Sequence, residues 1–332
     1  MEVEAWSRVS WARTVAQKFS YQGTLVRQAI DLAFLTGQWE RGWDYARLSE
    51  NAELPRDEQV GVWSKAALLA WERGWDGYAR WFGRKALRAT TAVSIPWVRL
   101  YGYLGGVIAA AAGAGAVRSA LDSYVRCVTT EEHATRSHRA LQAGLIGLEA
   151  GCGPDEVRHF ISRALPDHGE DLNHHAQRHY GYPLIVEATL REAEGRAQDR
   201  RILDASPSGV YQVNRARQHL LVARVHLKEE RKLSALTELQ QARHLLKAWP
   251  GRVLNTVEHE TISSVGPLMV TPSQRKVLDL LVEGWGNRRI AEHLGLSERT
   301  IAVHVGTMLK RSKATSRTEL VAQEMVRRLA RQ

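Results

Sequence analysis

The sequence predicts an all-α protein, an array of helical hairpins followed by a compact helix-turn-helix domain. Three observations carry that expectation. Apolar residues recur at i, i+3, i+4 and i+7 through most of the first 250 residues, the period of amphipathic helices. No segment alternates apolar and polar residues as a half-buried strand would. Glycines fall at a regular interval at the ends of the helical stretches, where a left-handed C-cap lets the chain turn back.

The segments "TLVRQAIDLAFLTG", "VWSKAALLAWERG", "YARWFGRKALRA", "ALQAGLIGLEAG" and "DEVRHFISRAL" each carry one apolar face. Gly37, Gly74, Gly113 and Gly151 are spaced by 37, 39 and 38 residues, close to the period of paired-helix repeats. A second regularity competes with this one: "WERGWDYAR" at 39–47 returns as "WERGWDGYAR" at 71–80, an interval of 32. The glycine register is the physical one, because a helix-ending turn is a geometric requirement whereas a shared word can survive a shifted duplication. In that register the first motif opens a second helix and the second closes a first helix at Gly74. Trp39, Trp43, Trp71 and Trp75 then serve as large packing residues between helices. The uncharged stretch from Leu100 to Val117 is mostly Gly and Ala, which suits close helix packing better than a membrane span. Further on, "LREAEGRAQDRRILDASPSGVYQV" reads as a helix end and a loop around Pro207 and Gly209, after which two clean helices run to Pro250-Gly251. With "RKAL" and "SRAL" near repeat ends, residues 20–250 resemble tetratricopeptide-like repeats. That resemblance implies a groove able to take a small-molecule or protein effector.

The formal net charge of +10 favours an anionic partner. Two cysteines, Cys127 and Cys152, lie in apolar helical contexts, so no disulfide framework or metal knuckle is expected. Acidic residues precede any apolar run at the start, and an intracellular, cytoplasmic protein without a membrane segment is the expectation. His168, His174, His175 and His179 cluster in "HGEDLNHHAQRHYGYP", but no HExxH is formed and no metal is assigned. Phosphate-loop, dinucleotide and nucleophile motifs are absent, so the chain is read as a non-enzyme without a cofactor.

From Val270 the text changes: "VTPSQRKVLDLLVEGWGNRRIAEHLGLSERTIAVHVGTMLKRSKATSRTELVAQEMVRRL". Thr271 with Gln274, and Ser316 with Glu319, have capping-box spacing; Ser297 caps a helix beginning at Glu298. Two short helices meet at a tight turn containing Gly295, the helix-turn-helix pattern. Ile301, Val305 and Met308 share one face and should pack on Leu278, Leu281, Ile290 and Leu294. Arg299, Ala302, Val303, Gly306 and Lys310 are thereby turned outward. Small residues at Ala302 and Gly306 let a helix approach base edges closely, Val303 suits a thymine methyl and Arg299 a guanine. Arg288, Arg289, Lys310, Arg311, Lys313 and Arg317 are candidates for phosphate or base contacts, and Asn287, Ser297 and Thr300 complete the set facing double-stranded DNA.

Thr271-Pro272, Val277-Leu278, Gly284, Asn287, Ile290-Ala291, Leu294, Ser297, Thr300-Ile301, His304 and Arg317 give residues 270–321 a specific resemblance to the LuxR-type (GerE-like) DNA-binding domain. The resemblance implies a four-helix module, a reading helix at 298–312 and a pairing helix at 317–329, with Leu320, Val321 and Met325 as its dimerisation stripe. Gln274, Ala302 and Ser312 depart from the family's usual glutamate, lysine and core leucine; Ser312 predicts a looser end to the reading helix. Repeats followed by such a domain resemble MalT-like regulators, though no nucleotide-binding loop is present. The expectation is a homodimeric transcriptional regulator: a repeat domain at 1–250, a linker at 251–269 and a DNA reader at 270–332. The alternative is a repeat scaffold whose final helices contact protein.

Overall fold

The computed structural model describes residues 22–48, 50, 54–127, 133–165, 181–198, 210–265 and 268–329. Among these the chain is helical throughout, with no strand. The first hairpins are α1 (Gln22–Thr36) with α2 (Trp39–Leu48), α3 (Arg56–Arg73) with α4 (Asp76–Thr90), α5 (Pro96–Ala112) with α6 (Val117–Cys127), and α7 (His133–Glu149) with α8 (Pro154–Ala164). Then come α9 (Tyr182–Ala193), α10 (Gln212–Lys228), α11 (Lys232–Leu245) and α12 (Arg252–Val265). Each first helix touches its own second helix, and α1, α3, α5, α7 and α9 contact one another in succession, so the first helices form a continuous row.

The turn glycines sit where the period put them. Gly37, Gly74 and Gly151 adopt φ of 71, 80 and 91°, a region that costs a side chain but not a glycine. After α5 the arrangement differs: Gly113 has φ −111° and Ala114 takes the left-handed conformation at φ 49°. The two tryptophan motifs separate as the glycine register requires, Trp39 starting α2 while Trp71 lies in the last turn of α3. Trp39 and Trp43 stack at 5.4 Å, and Trp75 meets them edge-on at 5.3 and 5.0 Å. Trp71 is buried apart from that group, under the Arg252 guanidinium at 3.7 Å and donating Nε1–H to Glu149 at 3.0 Å.

The Gly-Ala stretch packs α5 against α4. A Cβ at Gly83 would stand 2.3 Å from the Gly105 carbonyl oxygen, and one at Gly105 only 2.9 Å from Ala86 Cβ, so the approach depends on both glycines. No helix among the described residues is long and apolar enough to cross a membrane. Cys127 and Cys152 form no disulfide.

Two compact units result: one of residues up to Leu221 together with Ala242–Leu254, the other of Val222–Gln241 together with Asn255 onward. Within the first, residues 210–221 pack on the row of first helices. Tyr211 stacks on Phe34 at 4.8 Å. Arg217 donates to Glu72 Oε2 at 2.8 Å and to Glu149 Oε1 at 2.6 Å, with Asn214 Oδ1 at 3.1 Å. Burial raises the Glu72 carboxyl above the usual range against the pull of Arg217. Burial would lower Arg217, but Glu149 and Glu72 together hold it higher. Residues 251–269, read from the sequence as a linker, contain the 14-residue helix α12.

Candidate nucleic-acid interface

The last four helices are α13 (Pro272–Val282), α14 (Asn287–Leu294), α15 (Glu298–Ser312) and α16 (Arg317–Leu329). Their boundaries follow from local chemistry. Thr271 and Gln274 complete a reciprocal capping box with Pro272 in the first turn. Gly295 closes α14 at φ 65°, and Ser297 Oγ accepts the Thr300 N–H at 3.0 Å to begin α15. Ser316 accepts the Glu319 N–H at 3.1 Å, while the Glu319 carboxylate reaches one residue further back, taking the Thr315 N–H at 2.7 Å.

One face of α15 is committed to the core. Ile301, Val305 and Met308 are buried with Val277, Leu278, Leu281, Ile290 and Leu320, and Leu294 packs at the edge of the same cluster. The opposite face is open: Arg299, Ala302 and Lys310 are exposed, Val303 is 60% exposed, and a Cβ on Gly306 would meet nothing within 4 Å. Ser312 is buried, yet its hydroxyl donates to Leu309 O at 3.2 Å and accepts the Ala314 N–H at 3.3 Å. Lys313 then takes the left-handed cap at φ 54°. α15 therefore ends in a defined cap, correcting the looser end expected from Ser312.

The other expected contacts divide. Arg288 is exposed and pairs with Glu292 at 3.1 Å, and Arg289 lies over the Trp285 ring at 3.9 Å, both near the start of α14. Asn287 and Arg317 meet each other: Arg317 Nη1 donates to Asn287 Oδ1 at 3.0 Å and Nη2 to the Trp285 carbonyl. This fastens α16 to the turn before α14. Arg311 is likewise engaged, donating to Met269 O at 3.1 Å and to Gln274 Oε1 at 3.2 Å, so Gln274 serves both the cap and α15. Of the stripe on α16, Leu320 is fully buried in the module's core and Val321 packs against it, leaving Met325, 49% exposed, to offer surface.

Two features went unread in the sequence. Trp285 links Arg289, His293 at 5.1 Å and Arg317 into one small assembly. On α16, Glu324 is buried and accepts from Arg275 at 2.5 Å and Arg328 at 3.3 Å. The Glu324–Arg328 spacing of four was a legible helical signal; Arg275 lies 49 residues away and was not.

Charge concentrates here. Residues 270–332 hold twelve Lys and Arg against six Asp and Glu, so they supply most of the chain's net +10. α15 thus presents small outward residues and exposed cations opposite a closed apolar core. Residues 269–323 match the bacterial regulatory proteins of the luxR family. Over 50 residues the chain is 44% identical to the nitrate/nitrite response regulator protein NarL of Escherichia coli strain K12, covering 15% of this chain and 23% of that protein. The protein of the same name from Escherichia coli O6:H1 matches over the same shares. The chain thus spans about a quarter of the length of the curated relatives it matches. No solved structure matches it. The histidine cluster at 168–179 lies outside the described residues, and among the described residues no group of His, Cys, Asp and Glu is arranged to hold a metal ion.

Proposed function

We propose that the chain is a non-enzymatic, cytoplasmic, sequence-specific transcriptional regulator that binds double-stranded DNA as a homodimer. The repeat domain at 1–250 receives a small-molecule or protein effector, 251–269 connects, and 270–332 read DNA. The observation that carries this is the outward face of α15: Arg299, Ala302, Val303, Gly306 and Lys310 on one side, with Ile301, Val305 and Met308 sealed into the core on the other. Small residues permit close approach to the major groove and the cations meet phosphate or guanine. Thr300 and Ser297 fix the helix start, while Arg288, Arg289 and Lys313 border it. One short reading helix covers few base pairs, so two protomers on two half-sites supply affinity and specificity, with Met325 and the partly exposed Val321 as pairing surface.

The test is selection from random duplexes by full-length protein across a salt series, with Arg299→Glu/Lys310→Glu alongside. Enrichment of one motif as a two-half-site footprint, lost in the variant at unchanged helicity, is the expected result. Equal, purely salt-driven retention of all sequences by both proteins overturns it.

A further inference from the structure

The row of first helices brings together four side chains that the sequence scatters. Arg27 comes from α1, Lys65 from α3, Tyr101 from α5 and Arg139 from α7, at intervals of 38, 36 and 38 residues, the same period as the turn glycines. Each occupies nearly the same place in its repeat, so stacking the hairpins converges them. Arg139 lies over the Tyr101 ring, its Cζ 3.4 Å from the centroid, and Arg27 Cζ stands 5.8 Å from the same ring. Lys65 bonds Asp31, whose Oδ1 also accepts the Tyr211 hydroxyl at 2.5 Å. Arg27 reaches this place because Gly61 on α3 has no side chain: a Cβ there would stand 2.8 Å from Arg27 Cδ.

Two of the three cations are taken almost wholly out of water, Lys65 at 5% and Arg139 at 6% exposure. Arg27 Nη2 donates to Thr24 Oγ1 at 3.0 Å, but its buried Nε–H has no acceptor. The Tyr101 hydroxyl makes no hydrogen bond among the described residues, and Tyr101, Arg27 and Asp31 are half-buried. Burial would raise the Tyr101 phenol, but the charges of Arg139, Lys65 and Arg27 outweigh both that and the opposing Asp31, and it falls below its ordinary value. A buried N–H that lacks an acceptor is costly unless a ligand oxygen completes it, and an anionic oxygen suits the cations around this one.

We propose that Arg27, Lys65, Tyr101 and Arg139 form a binding site for a small molecule carrying a carboxylate or phosphate group. Arg27 Nε and the Tyr101 hydroxyl donate to its oxygens while Lys65 and Arg139 supply charge. The effector clause of the reading above is what this inference rests on, and it names the chemical class of that effector. Asp31 and Tyr211 form the wall of the site nearest α10.

Calorimetric titration of the full chain with inorganic phosphate, and separately with succinate, tests it, with sodium chloride matched for ionic strength. Saturable binding of at least one probe is expected, weakened at least about tenfold in Arg27→Gln. Arg88→Gln, an exposed arginine on α4, should bind as the wild type does. Tyr101→Phe, which removes one oxygen, gives the same answer should Arg27→Gln lose helicity. Preference for one probe assigns the oxyanion. Absence of saturable binding of both probes, or equal affinity in the wild type and Arg27→Gln, overturns the proposal. Duplex selection on the same samples separates the two readings. Motif enrichment without anion binding removes only this site, whereas anion binding without enrichment removes the DNA reader.

Discussion

Replacing Arg217 by methionine should destabilise the repeat part of the chain by about 3–5 kcal/mol, the cost of stranding a buried charge when its partner is removed. The magnitude follows from what stays behind. Glu72 is 2% exposed, and Arg217 donates to both its oxygens, at 3.0 and 2.8 Å, while also serving Glu149. Without the guanidinium two carboxylates face each other, one of them with no water to turn to. For a unit of this size the melting temperature should drop on the order of 10 °C. Adding Glu72→Gln should restore part of the loss, since the stranded charge is then gone. The pH dependence gives a second handle. Burial already holds the Glu72 carboxyl above its ordinary 4.5 in the folded state, and removing Arg217 raises it further. An acid raised on folding penalises the native state once it ionises. The penalty is therefore full above the folded pKa and fades as the pH falls toward 4.5, so the variant should regain ground on the wild type in acid. Urea midpoints at pH 7 and near pH 5 measure both effects. A loss under about 1 kcal/mol, insensitive to pH and to Glu72→Gln, would refute the buried Arg217–Glu72 pair.

Arg299→Ala and Lys310→Ala should leave stability within about 0.5 kcal/mol, because both side chains are exposed. In DNA binding a lost phosphate contact lowers the salt slope by about 0.9 per protomer, whereas a lost guanine contact costs about 1–3 kcal/mol at one base position and relaxes the motif there; anisotropy over a salt series tells them apart. Gly306→Ala should stabilise α15 by up to about 1 kcal/mol yet weaken specific DNA binding, since the new methyl meets no protein atom and projects from the face proposed to read DNA. Thermal melting and duplex binding of one sample check both signs. Arg158 bonds to Glu194 outweigh the carboxyl's burial and hold it below 4.5, so their stabilisation is present above pH 4.5 and is lost as pH falls through the lowered value. Urea midpoints of wild type and Glu194→Gln should converge in acid.

The features legible in the sequence were those that chemistry fixes within a few residues. The caps at Thr271 and Ser297 are local hydrogen bonds, and the core face of α15 is a period of 3.6. The turn after α7 needs φ 91°, which its glycine announces. Features decided by distant partners stayed hidden. Nothing near Arg217 names Glu72, 145 residues earlier, and nothing near Arg317 shows that it binds Asn287 and the Trp285 carbonyl. Leu320 lay on a helical stripe, and a stripe alone does not say whether it faces its own domain or a second copy; the fold gives it to the core. Arg27, Lys65, Tyr101 and Arg139 stand between these cases. Each precedes its turn glycine by nine to twelve residues, so the register that located the turns also superimposes these four. In a repeat protein a shared position is a shared place on one helical row, and a single binding locus can be assembled from residues more than a hundred apart without any of them forming a local motif.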